Sequence, residues 1–81
     1  SDAEVRTAVH ARLRDARKLR GSIVTIESVY DGVVRLSGVA RDARAVAHAF
    51  DLVIHVPGVR RVINDVVPQR QPAADDDADA A

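Results

Sequence analysis

The residues with the clearest capacity for chemistry are cations grouped within residues 12–18, where Arg12, Arg14, Arg17 and Lys18 occur together. Guanidinium and ammonium groups bind phosphate and carboxylate groups, so this cluster favours recognition of phospholipid headgroups or nucleic acid. Cations are also favoured at the C-terminus of a helix by its dipole. The cluster therefore leaves two interpretations open: an anion-binding surface, or an ordinary solvated helix end.

The other candidates for chemistry do not form a catalytic or metal site. His48 and His55 would lie about 10 Å apart along one helix, too far to share a metal ion with bonds of about 2 Å. His10 is isolated in the sequence, no glycine-rich phosphate loop or nucleophile motif occurs, and Cys is absent. We predict a protein that is not an enzyme and has no metal or other cofactor.

Charge divides the chain into a basic body and an acidic end. Residues 1–70 hold all twelve Lys and Arg but eight of the twelve Asp and Glu. The remaining carboxylates are Asp75, Asp76, Asp77 and Asp79. Residues 68–81 have no large apolar side chain to offset the entropy lost on ordering. We predict one domain over residues 1–67 and a disordered acidic tail over residues 68–81.

Two segments with apolar residues at helical spacing predict two helices. The first begins at a cap formed by Ser1 with Glu4 or Asp2, and its apolar residues are Val5, Ala8, Val9, Leu13 and Ala16. The second runs from Asp42 or Ala43 to His55. The residues expected to cover a sheet are Val46, Ala49, Leu52, Val53 and Val56.

The second helix carries more apolar residues than one sheet face requires. Phe50 and Ile54, with Ala43 and Ala47 on earlier turns, form a second apolar stripe. Either Phe50 covers the edge of a small core next to the first helix, or the stripe is a surface for a membrane, a partner or a second copy. The predicted lipid- or partner-binding site combines both features: Ala47, Phe50, Ile54, Arg12, Arg14, Arg17 and Lys18.

Between the helices, the Asp31-Gly32 pair predicts a β-hairpin with a two-residue type I′ turn, joining strands over residues 22–30 and 33–39. Val24 and Ile26 are two residues apart and share the inward face of the strand. The turn also places Val29 on the inward face, although Val29 is three residues after Ile26 and would face outward in a regular strand. A β-bulge near Glu27 and Ser28 resolves the conflict by setting Ile26 opposite Leu36. We also expect Gly38 to allow a close approach of the second helix.

After the second helix, Pro57 and Gly58 end the helical conformation, and residues 59–67 predict a third strand. Val62 and Val66 face inward, and Asn64 binds backbone groups. The outward residues Ile63 and Val67, with Val33 or Tyr30, leave the other sheet face less polar than usual. The predicted class is α+β: an α-β-β-α-β two-layer sandwich with both helices on one face of a three-stranded mixed sheet, where strands two and three are parallel if adjacent.

These motifs resemble the BON domain, a small bacterial module whose pattern reads roughly G-x-V-x-L-x-G, then a helix, then G-V-x-x-V-x-N. The resemblance covers residues 2–67. The matching positions are Gly32, Val34, Leu36, Gly38, Gly58, Val59, Val62 and Asn64.

The resemblance implies a bacterial module of the cell envelope or periplasm, linked to osmotic stress, that binds anionic phospholipid or another envelope component. Alternatives are a potassium-sensing domain or a self-assembly or docking domain with weak self-association. Tyr30 and Phe50 are the only aromatic residues, so we expect no nucleic acid partner. The sequence contains neither a signal-peptide pattern nor an apolar run of membrane-spanning length, so a cytoplasmic location stays open.

Overall fold

The computed structural model describes residues 1–69. The elements, in chain order, are α1 (Asp2–Asp15), a short 3-10 turn (Arg17–Leu19), β1 (Ile23–Tyr30), β2 (Val33–Ala40), α2 (Ala43–Ile54), β3 (Arg61–Asn64) and β4 (Val67–Pro68). This order confirms the α+β class and the α-β-β-α-β architecture, except that the third strand is divided in two. The predicted tail lies outside the described residues from position 70 onward.

The sheet has the strand order β1-β2-β3, with β4 also pairing with β2. The β1–β2 pair is antiparallel and the β2–β3 pair is parallel, as expected for a helical crossover. Ile26 lies opposite Leu36 and Val29 opposite Val34, with the register shifting between Ile26 and Ser28. The predicted bulge is therefore confirmed. Because of the bulge, Val24 and Ile26 before it and Val29 after it all face the core.

The hairpin turn has the backbone conformation that its sequence predicts. Asp31 has φ 50° and Gly32 has φ 77°, the two positive angles that a type I′ turn requires. The Asp2 carboxylate accepts hydrogen bonds from the backbone N–H groups of Asp31 at 3.0 Å and of Gly32 at 3.3 Å. The first turn of α1 is thus fixed to the hairpin.

The expected role of Gly38 was wrong. Its backbone has φ 120°, and a Cβ there would collide with the carbonyl oxygen of Ile23 on the paired strand β1. Glycine is required because two strand backbones come together at this point, and no atom of α2 is among the closest neighbours.

The third strand is interrupted where it was expected to be continuous. The N–H of Asp65 still donates to the carbonyl of Leu36 at 2.9 Å, but the N–H of Val66 donates to Oδ1 of Asn64 at 3.4 Å. This side-chain bond diverts Val66 from the ladder, and pairing resumes at Val67. Gln69 then donates to the carbonyl of Ala40 at 2.7 Å, so ordered pairing extends past the predicted boundary at residue 67.

Both helices pack on the same face of the sheet and close one apolar core. Ser1 and Glu4 form the capping box that starts α1, and the Asp42 side chain caps α2 by accepting from the N–H of Ala45 at 2.9 Å. Leu19 anchors the turn after α1 with 6% exposure. The buried core comprises Val5, Val9, Leu19, Val34, Leu36, Ala40, Ala45, Ala49, Val53, Val56 and Val66.

The two helices run in opposite directions, which decides which surfaces are neighbours. At the hairpin end, Asp2 binds the turn, and a Cβ on Gly58 would lie 2.8 Å from Cγ2 of Val5. At the other end, Nη1 of Arg41 donates to the carbonyl of Arg20 at 2.8 Å. The end of α1 therefore adjoins the beginning of α2.

Candidate functional site

The predicted basic cluster lies where α1 ends and the chain turns toward β1. α1 stops at Asp15, Ala16 adopts an extended conformation, and the buried Leu19 fixes the following turn to the core. Because Leu19 points inward, Arg17 and Lys18 are held on the surface beside Arg12 and Arg14, and all four are exposed.

Three further arginines extend this cluster because the helices are antiparallel. Arg20 follows the 3-10 turn, and its carbonyl accepts from Arg41. Arg41 also donates its backbone N–H to Oγ of Ser22 at 2.8 Å, which fixes the chain before α2 against the residue that precedes β1. Arg44 stands in the first turn of α2. We call this surface the basic end: Arg12, Arg14, Arg17, Lys18, Arg20, Arg41 and Arg44.

Few carboxylates neutralise the basic end. Arg14 pairs with Asp15 at 3.2 Å and Arg41 with Asp42 at 3.4 Å, both as exposed contacts of small energetic weight. Within residues 1–69, the other five cations of the basic end have no carboxylate at ion-pair distance. The surface therefore has an excess of positive charge facing solvent.

Asp42 is engaged by the backbone rather than by a ligand. The N–H of Ala45 is the main cause that lowers the pKa of Asp42 below its ordinary value of 3.8, with smaller contributions from Arg41 and Arg44. An ionised helix cap cancels part of the local positive charge. Of the two parts of the basic end, the end of α1 is therefore more strongly basic than the start of α2.

The predicted apolar stripe of α2 is present on the surface. Phe50 is 41% exposed, Ile54 is half-buried, and neither belongs to the core or to the half-buried side chains packed against it. Ala43 and Ala47 are exposed beside them. Phe50 therefore has about two fifths of its surface in contact with solvent.

The structure separates Phe50 and Ile54 from the basic end, whereas Ala43 lies between Arg41 and Arg44. Phe50 projects only about 40° around the helix from Val46. The carbonyl of Val46 accepts from Nδ2 of Asn64 on β3 at 3.0 Å, so this flank of α2 faces β3 rather than α1. Ile54 is also the last residue of α2, near the hairpin. Phe50 and Ile54 are thus on a different surface from the basic end.

The matched motif positions are structural. Val34 and Leu36 are fully buried, and Val59 and Val62 pack against the core. Asn64 bridges the carbonyl of Val46 and the N–H of Val66, which confirms its expected role in binding backbone groups.

The sheet face without helices is partly apolar, as expected. Ile63 is 37% and Val67 54% exposed, and Tyr30 is 78% exposed. The sequence analysis did not identify Ile23 and Val39, which continue this surface next to Val67. Polar contacts divide the face, including the pair between Arg35 and Asp65 at 2.9 Å.

No group of three or more His, Asp or Glu side chains within residues 1–69 is arranged to hold a metal ion. Within the same residues, neither helix has the length and apolar character needed to cross a membrane.

Comparison with known families identifies the class of protein. The family model of the BON domain matches residues 1–68, and the chain belongs to this family. BON domains are non-catalytic modules that occur in envelope and periplasmic proteins. No curated protein matches the chain.

Proposed function

We propose that this BON domain binds anionic phospholipid headgroups at an envelope membrane through its basic end. The observation that carries the proposal is the surplus of cations at one end of the molecule, five of which have no carboxylate partner within residues 1–69. Guanidinium groups match phosphate in geometry, and each cation near an anionic membrane contributes about 1 kcal/mol. Family membership supports an envelope-related, non-enzymatic role.

The α2 stripe has a separate part in this proposal. Phe50 lies on the flank of α2 that faces β3, and Ile54 ends α2 near the hairpin, so a membrane in contact with the basic end does not need them. We assign the stripe to contact with a protein partner or a second copy of the domain. The potassium-sensing alternative stays a prediction from the resemblance.

Co-sedimentation with vesicles tests the headgroup proposal. The domain is expected to sediment with vesicles containing phosphatidylglycerol and to stay in solution with phosphatidylcholine alone. Binding should weaken as salt rises, because exposed charges are screened. Equal sedimentation with both vesicle types would contradict the proposal.

The stripe is tested by the double variant Phe50→Ser with Ile54→Ser. Both side chains lie outside the core, so the variant is expected to fold and to bind anionic vesicles like the parent domain. Any self-association in sedimentation velocity should decrease. Loss of vesicle binding in a folded variant would show that the stripe contacts lipid instead.

A further inference from the structure

The groove between α1 and the outer edge of β1 has the features of a peptide-binding site. Within residues 1–69, β1 pairs only with β2, so its other edge has unpaired backbone N–H and C=O groups. Beside this edge, α1 and the turn that follows it enclose a groove of about 870 Å³. We call this the β1 edge groove.

The regular part of the strand coincides with the groove. The four residues Ile23–Ile26 line it, and the bulge begins immediately after Ile26. Four residues of extended chain offer about 13 Å of strand for pairing. The bulge limits pairing to this segment, since it displaces the backbone beyond it.

The groove joins an apolar lining to a basic rim. Leu13, Val24 and Ile26 are half-buried side chains that pack against the core, and all three line the groove. The charged and titratable side chains along it are Arg6, His10, Arg14 and Arg20. Within residues 1–69, no carboxylate lines it.

We propose that the β1 edge groove binds an extended acidic peptide segment of another protein, which adds a strand to β1. Backbone hydrogen bonds to Ile23–Ile26 would provide affinity for any extended chain, while alternate side chains provide specificity. One set of its side chains points toward α1, where carboxylates meet Arg6 and Arg20, and the other set points to the opposite face of the sheet beside the exposed Ile23. A second copy of this domain is a poorer occupant, because pairing two β1 edges would bring two basic rims together.

The test uses fluorescent peptides of eight residues and the full chain. The first alternates Glu and Val, the second alternates Lys and Val, and the third keeps the charge of the first but replaces alternate Val by Pro, which cannot donate to a ladder. Fluorescence anisotropy is expected to detect binding of the Glu-Val peptide alone. Equal binding of the Lys-Val or the Pro-containing peptide would overturn the proposal.

Two variants with equal charge change test where the peptide binds. Arg6→Gln with Arg20→Gln removes cations from the groove, and Arg44→Gln with Arg61→Gln removes two cations outside it. All four arginines lack an ion-pair partner within residues 1–69. We expect affinity for the Glu-Val peptide to fall about three- to tenfold in the first variant and to stay unchanged in the second. Equal loss in both would indicate non-specific attraction and overturn the proposal.

NMR on the unaltered chain provides an independent measurement. Adding the Glu-Val peptide should change the chemical shifts of the backbone amides of Ile23–Ile26. It should also slow hydrogen exchange at those amides whose N–H groups point away from β2. Shifts confined to other segments would contradict the proposal. Shifts of the same amides that depend on protein concentration without peptide would assign the edge to a second copy instead.

Discussion

Substitution of Gly38 by Ala tests the contact that fixes the β1–β2 pair. Gly38 has φ 120°, and an added Cβ would collide with the carbonyl oxygen of Ile23 and lie 3.0 Å from its carbonyl carbon and 3.3 Å from Cα of Val24. All three are backbone atoms, so no side-chain rotation relieves the contact. The two strands would have to move apart.

The magnitude follows from two contributions. An L-residue at this backbone angle costs about 1–3 kcal/mol. Overpacking against atoms that cannot rotate away adds about 1–3 kcal/mol. The sum of about 2–6 kcal/mol is comparable to the whole unfolding free energy of a domain of this size, about 3–10 kcal/mol. Gly38→Ala should therefore lose a large part of the stability of the domain.

Gly21→Ala is the matched control. Gly21 also has positive φ, 81°, but its added Cβ would lie 3.5 Å from Cδ of Arg41, an ordinary contact with a flexible side chain. Urea unfolding followed by far-UV circular dichroism should show a much larger loss for Gly38→Ala than for Gly21→Ala. Equal unfolding midpoints would refute the argument that the two backbones are in contact at Gly38.

Two further predictions concern side chains that bind the backbone. Asn64→Ala should lower the unfolding free energy by about 1–3 kcal/mol, since the N–H of Val66 loses its acceptor and the helical carbonyl of Val46 loses its second donor; an unchanged urea midpoint would contradict this. The N–H of Ala45 lowers the pKa of Asp42 in the folded state below the ordinary value of 3.8. The ionised carboxylate therefore stabilises the fold above pH 3.8, and this stabilisation is lost as pH falls through the pKa of Asp42 in the folded state. Asp42→Asn, which keeps a capping oxygen, should therefore lose less stability below about pH 4 than the parent, and identical pH curves would count against this cause.

Local sequence rules predicted the elements that depend on neighbouring residues. The positive φ angles of Asp31 and Gly32, the cap of α1, and the bulge all follow from short-range geometry and from the alternation of inward residues. The bulge was predictable because Val24, Ile26 and Val29 cannot share one face without an extra residue.

The misses depend on tertiary contacts. The partner of Gly38 is a backbone on another strand. The break in the third strand arises from Asn64, whose side chain binds the N–H of Val66 two residues later and is fixed by the carbonyl of Val46 in α2. Leu19 was likewise not predicted as a core residue, because a single 3-10 turn has no periodicity, whereas Ala45 lies one turn before Ala49 on the predicted core stripe of α2.

The residues of the basic end also divide into those predicted from local sequence and those brought in by tertiary contacts. Arg12, Arg14, Arg17 and Lys18 are adjacent in sequence and were predicted as a cluster. Arg41 and Arg44 join them only because α2 begins where α1 ends, which no local pattern indicates.

Vesicle binding by two variants with equal charge change tests the central claim that the basic end contacts anionic headgroups. Arg17→Gln with Lys18→Gln removes two cations from the basic end, whereas Arg60→Gln with Arg61→Gln removes two exposed cations next to the hairpin. At about 1 kcal/mol per cation, we expect the first variant to bind phosphatidylglycerol vesicles about 30-fold more weakly and the second to bind like the parent domain. Equal weakening in both, or none in either, would contradict the account.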